Sequence, residues 1–328
     1  MRLRRLLSTI PASCLLLTLL CFQSVSAMAS AEGSFQKTLQ VNGTANIDLL
    51  TGSGRVQVRA GNSGQVLITG HVKATNWFGG DAEHRVQAIV NQPPIQQNGN
   101  EIRIGHLSDS ELLHNISISY ELVVPAETHL RSHTGSGHQD IQGLNDELEV
   151  ETGSGDLKVA DIGAAVRADA GSGDIEIDQV KGSVRAKTGS GSIHAMQIAG
   201  SFEGSTGSGH IVLEQTAAGE VRAETGSGGM ELRGVQGTLE ASAGSGDIRA
   251  EGNPTGSWTL RTGSGGVHLK LASDTGFDLN ARTSSGSISV SQPVTVQGTI
   301  NRKELRGKVH GGGVPVDVET GSGNIEIQ

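Results

Sequence analysis

A four-residue phrase, Thr-Gly-Ser-Gly, returns about every 18 residues along this chain and constrains its fold more than any other feature. It opens at Thr134, Thr152, Ala170, Thr188, Thr206, Thr225, Ala243, Thr262, Thr283 (as Thr-Ser-Ser-Gly) and Thr320. A period of this size is the mark of a solenoid, in which each repeat buries its apolar face only by stacking on its neighbours. The 48 glycines fall at regular intervals with aliphatic residues recurring between them, which points to tight turns rather than disorder.

The residues flanking the phrase show how each repeat is built. Four places before it stand Leu130, Leu148, Val166, Val184, Phe202, Val221, Leu239, Trp258, Leu279 and Val316, and two places before it the residue is mostly small or apolar. Five places after it come Leu157, Ile175, Ile193, Ile211, Met230, Ile248, Val267, Ile288 and Ile325, with Gln139 the exception; seven places after, every residue is apolar. Spacing of two on each side is the period of a half-buried strand, so each repeat supplies two short strands with a glycine corner between them. A second glycine, as at Gly163, Gly182 and Gly200, marks the other turn, and insertions gather just ahead of it. Three places before the phrase the charges run Glu149, Arg167, Arg185, Glu203, Arg222 and Glu240, so mostly opposite charges face each other on adjacent rungs.

These patterns predict an all-β chain: a single-stranded parallel β-solenoid (β-helix) of about 18-residue coils with irregular N-terminal rungs, right-handed by the crossover rule. Residues 134–328 form the regular array. The 37-residue gap between Thr283 and Thr320 fits two coils, the extra one carrying an insertion at 301–313. Residues 35–133 read as the first rungs and a cap, because Ile47, Leu49, Val56 and Val58 flank Thr51-Gly52-Ser53-Gly54 at the same offsets. An insertion at about 73–115 breaks the pattern there; a short helix at 81–90 is expected within it, stopped by Pro93-Pro94. Nothing comparable closes the C-terminus, where Ile325 and Ile327 end the chain inside a strand. An open last rung invites self-association.

The chain's beginning says where it works. Arg2, Arg4 and Arg5 precede an apolar run at 15–22, and Val25-Ser26-Ala27 offers a cleavage site, so 1–27 read as a secretory signal. Cys14 and Cys21 raise a lipoprotein signal as the alternative, but Leu20 is bulky where lipid modification wants a small residue. Both cysteines leave with the signal. Its removal takes Lys+Arg from 25 to 22 against 34 Asp+Glu, a net charge of about −12, which argues against nucleic acid or anionic lipid as partner.

The rung with its insertion, the segment Tyr120-Glu121-Leu122-Val123-Val124-Pro125, the serial Gly-Ser-Gly-Asp-Leu/Ile units, and Leu305-Arg306-Gly307 to Gly311-Gly312-Gly313 before a final Thr-Gly-Ser-Gly-Asn-Ile-Glu-Ile resemble the bacterial putative-adhesin family of β-strand-repeat proteins. The resemblance covers nearly all of the mature chain. It implies an envelope or secreted β-solenoid, and it supplies no functional residues to carry over.

Catalytic readings find little to stand on. Ser136, Ser154, Ser172, Ser190, Ser208, Ser227, Ser245, Ser264 and Ser322 all occupy one place in the phrase, so the serine is a turn residue and not a nucleophile. No Gly-Lys-Ser/Thr follows, as a phosphate loop requires. A polysaccharide-active β-helix enzyme is the alternative class, but short coils leave little room for a cleft. Calcium-binding β-rolls also make 18-residue coils. Here the aspartate after Gly-Ser-Gly occurs in only some rungs, which leaves Asp156 and Asp174 as weak calcium candidates for an ion that wants six or more oxygens. His129, His133 and His138 are the closest histidine grouping, read as solvated strand residues. The expected protein is therefore a non-catalytic, cofactor-free module, structural, adhesion-like or protein-binding, exported by a bacterium to the periplasm, the cell surface or the medium. Its expected partner is an envelope or surface component, or a second copy met through the C-terminal rung.

Overall fold

The computed structural model describes residues 31–74, 82–106, 115–296 and 301–328; the expected signal at 1–27, with Cys14 and Cys21, lies outside them. The described chain is all-β apart from one helix, arranged as two long sheets of 14 and 15 strands with no closed barrel. No helix among the described residues is long and apolar enough to cross a membrane. Strands that carry the phrase build the second sheet, and those that follow it build the first.

The period becomes stacking. Leu148 pairs in parallel with Leu130 on one side and Val166 on the other, while Leu157 lies between Gln139 and Ile175. The predicted interior positions are buried almost throughout, so the core is a set of aliphatic ladders between the sheets. Each such side chain contributes about 1.5–3 kcal/mol. At the corner the backbones of neighbouring coils run so close that a Cβ on Gly171 would meet the Gly153 carbonyl oxygen at 2.5 Å. The second glycine is needed for another reason: Gly155 and Gly173 sit at φ of 155° and 149°, where side chains are strained.

Two exceptions in the pattern explain one another. Gln139, polar where other coils are aliphatic, faces Ser132 in the same coil; the Ser132 hydroxyl donates to Gln139 Oε1 at 2.5 Å, and Gln139 Nε2 donates to the Glu151 carbonyl at 2.7 Å. Gly204 is likewise a fitted gap. A Cβ there would lie 2.6 Å from the Phe202 ring, the largest side chain on that ladder line until Trp258.

Both ends differ from the expected simple stack. The coil of Ala45–Ser53 and Val56–Ala60 stacks on that of Thr128–Ser136 and Gln139–Gln142, far along the chain. Outside it the first sheet continues through Ile116–Val124 in parallel, then Gln65–Ala74 and Glu32–Gln40 antiparallel; the second adds Glu101–Ile104 and Ile95–Asn98. The helix is Ala82–Asn91, with Val86 and Ile89 buried. Val86 and Val90 press on Gly33 of the edge strand, so the helix covers this end.

At the other end two expectations are corrected. Among the described residues no extra parallel coil fills the gap before Thr320: Val294–Val296 and Glu304–Val309 pair antiparallel, and the latter lies antiparallel on Phe277–Ser285. The last coil is not an open terminus either. Strand Val314–Ser322 lies between Trp258–Ser264 and Phe277–Ser285, and Ile325–Ile327 lies between Val267–Leu271 and Ile288–Val290.

Candidate functional site

The phrase corner carries two polar ladders that account for residues singled out by sequence. The first belongs to the threonine. Thr152, Thr188, Thr206, Thr225 and Thr262 are buried, and each hydroxyl donates to the carbonyl of the phrase-ending glycine one coil back, as Thr206 Oγ1 does to Gly191 at 2.8 Å. At the end of the rod the partners follow space and not sequence: Thr320 donates to Gly265 and Thr283 to Gly323. The phrase serines lie outside this corner, with Ser136, Ser154 and Ser172 exposed and paired in register.

The second ladder holds both calcium candidates. Asp156 Oδ1 accepts the N–H of Asp174 at 3.0 Å, and Asp174 Oδ1 accepts that of Ser192 at 2.8 Å. Asp247 does the same for Gly266, Asn324 for Ser287, and the histidines His138 and His210 for Asp156 and Gly229. A residue that accepts the next coil's N–H satisfies a backbone donor at the corner, so Asp, Asn, Ser and His serve alike. The described residues contain no group of three or more His, Asp or Glu placed to hold a metal. His129, His133 and His138 stand apart on one coil, each facing an acid of the next: Glu147 at 3.9 Å, Glu151 at 3.3 Å and Asp156 at 3.2 Å.

One concavity is a groove of about 540 Å³ on the second sheet, running across the coils from His129 to Arg222. It is lined by Ala165, Ser183 and Ser201, small residues five places before the phrase, and by the charged row. Arg131 pairs with Glu149 at 2.8 Å, Arg185 with Glu203 at 3.1 Å, and Arg222 with Glu240. The hydrogen bond that Arg131 donates to Glu149 holds its guanidinium more firmly protonated than usual. The alternation slips once, where Arg167 and Arg185 are register neighbours; Arg167 turns instead to Asp169, at 2.9 Å, and to Glu149, at 3.6 Å. Sequence reasoning read the charged row but not the groove. Its signal was the run of small residues at one fixed offset, Ala165, Ser183 and Ser201.

On the first sheet Arg59 forks onto Asp140 with bonds of 2.8 and 2.6 Å, holding that carboxyl below the usual range. Tyr120 is buried in the cap, edge-on to Phe35 with centroids 6.4 Å apart, and burial pushes its phenol up. Such groups hold structure. None of them lies in the groove.

The family model Toastrack DUF4097 matches residues 44–328. Among solved structures, a putative cell adhesion protein from Clostridium sporogenes is 14% identical, with 90% of this chain and 98% of that one covered and a TM-score of 0.23. A putative adhesin from Bacteroides fragilis is 12% identical over 90% and 97%, with a TM-score of 0.32. A putative lipid binding protein from Parabacteroides distasonis is 11% identical over 90% and 97%, with a TM-score of 0.37. Comparison with curated proteins finds no match. At these scores the solved structures carry no argument about ligands, and the family match bears the weight.

Proposed function

We propose, from the premise that this chain belongs to the Toastrack DUF4097 family, that it is a non-catalytic binding rod exported to the bacterial envelope or beyond, with coils of about 18 residues wound right-handed. The groove along the charged row of the second sheet is its contact surface. One observation carries this reading: the groove crosses successive coils past small residues at one offset, a shape that fits an extended or broad partner better than a small substrate. Its walls are alternating Arg and Glu already matched to one another, an arrangement that gives specificity and register to a partner of interleaved charge. Leader-like residues 1–27 support export. In this reading the corner aspartates Asp156 and Asp174 act as hydrogen-bond acceptors for the next coil.

The test is capture of envelope material on immobilised residues 28–328. Bound species are resolved by protease and by periodate treatment into protein and polysaccharide. The reading predicts a specific species whose capture falls at least tenfold in an Arg167→Glu/Arg185→Glu variant and holds in a Lys158→Glu/Arg249→Glu variant on the opposite sheet. Equal capture by both variants, or none by the parent protein, would overturn it.

A further inference from the structure

We propose that the inserted C-terminal coil is exchangeable between two copies of this chain, each rod receiving the partner's final coil in the slot between its own coils at Trp258 and Phe277. The slot is defined on both faces. Val316 lies in register between Trp258 and Leu279, Thr320 between Thr262 and Thr283, and Ile325 between Val267 and Ile288. The polar bonds that seat the coil are local to that slot, among them Thr320 to the Gly265 carbonyl at 2.8 Å, Thr283 to the Gly323 carbonyl at 3.0 Å, Asn280 to Asp317 at 2.7 Å, and the Ser287 N–H to Asn324 Oδ1 at 3.1 Å. A coil arriving from another copy makes all of these contacts unchanged. The balance between closed monomer and exchanged dimer therefore rests on the hinge.

The hinge is short and tight. Strands Glu304–Val309 and Val314–Ser322 flank Phe277–Ser285 on opposite sides, so residues 310–313 must carry the chain over one strand and reverse it. Crossing two strand spacings takes about 9.6 Å, and four extended residues reach at most about 14 Å. His310, Gly311 and Gly312 take φ of 48°, 86° and 90°, a left-handed run that includes one non-glycine residue. A Cβ on Gly313 would sit 2.2 Å from the Gly276 carbonyl, so the turn also presses on the strand it crosses. An opened hinge sheds these constraints, and short hinges under strain favour exchange. The order of synthesis adds an opportunity: coil 277–290 is made before the coil that must enter beneath it, and until then the slot can accept a coil in trans.

The mature chain has no cysteine, which allows a clean trap. Arg261 and Glu319 are exposed register partners on neighbouring strands, one on the wall of the slot and one on the inserted coil. In an Arg261→Cys/Glu319→Cys variant of 28–328, refolded at rising protein concentration and then oxidised, exchange predicts a disulfide-linked species of twice the monomer mass whose share grows with concentration. A Ser242→Cys/Arg261→Cys control, paired outside the exchanged coil, stays a linked monomer. Deleting Gly311 and Gly312 is expected to make the dimer dominant, and inserting four glycines after Gly312 to abolish it. Dimers of the control alone would indicate end-to-end association. Only intrachain disulfide at every concentration and every foldable hinge length overturns the proposal.

Discussion

Replacing Thr206 by Val tests whether the threonine of the phrase is a structural hydrogen-bond donor. The side chains are nearly the same size, so packing is kept and only the hydroxyl is lost. That hydroxyl is 4% exposed as part of its residue and donates to the Gly191 carbonyl at 2.8 Å. A buried hydrogen bond is worth roughly 1 kcal/mol net, rising to about 1–3 kcal/mol when its partner is left without a donor. The expected loss is about 1–2 kcal/mol. The chain contains its own reverse experiment, because Ala170 and Ala243 hold this place in two coils. Ala170→Thr puts a hydroxyl beside the Gly155 carbonyl in the geometry of its neighbours, with an expected gain of about 1 kcal/mol. Positions 170 and 206 lie two coils apart, about 9.6 Å, so the two effects add within ~0.5 kcal/mol. Urea unfolding followed by circular dichroism gives the size, and amide exchange in the coils at 184–215 shows where the loss falls. A repeat array need not unfold in one step, which makes the local readout decisive. The reasoning fails if Thr206→Val exchanges like the parent in those coils and Ala170→Thr gains nothing; Thr206→Ser, which keeps the hydroxyl, separates its loss from that of the methyl.

Gly204→Ala places a Cβ 2.6 Å from the Phe202 ring and is expected to cost about 1–3 kcal/mol; Phe202→Val/Gly204→Ala, which copies the Val221 and Ala223 pair next door, should recover most of it in thermal melts. Ser132→Ala strands Gln139 Oε1 in the core and should cost about 1–3 kcal/mol, while Ser132→Ala/Gln139→Leu, an apolar pair as in other coils, costs less than the single change by urea midpoint. The Arg59 pair lowers the Asp140 carboxyl in the folded state, so its contribution is full above the unfolded carboxylate range near ~4 and is lost as pH falls through the lowered value. Arg59→Met should therefore reduce melting temperature at pH 6, with the loss shrinking as pH falls through the lowered value; an equal drop at every pH would point to lost packing.

Much of the fold was legible because one side chain decides each position. Leu148, Leu157 and Val159 are apolar, alternate and buried, and the helix Ala82–Asn91 falls within a residue of its expected place, stopped by Pro93-Pro94. The charged row was legible for the same reason. The groove was not, because a concavity depends on what stands on both sides of Ala165 and Ser183, and only stacking brings those walls together. Gln139 looked like an exception until Ser132, seven residues away, came into contact with it.

The sequence by itself determined the unit: its two strands, which residues face the core, and why Gly-Ser-Gly must turn the corner. Only the tertiary structure decided the order in which units stack. Each coil offers its neighbours the same apolar ladder and the same glycine corner, so Trp258 could meet Leu279 as readily as Val316 by pattern alone. Chain order suggested the first, and the structure has the second. Local periodicity specifies how a coil packs but is degenerate as to which coil it packs on. That choice is made by the connections at the ends, where antiparallel strands and the hinge at 310–313 send the final coil back into the rod.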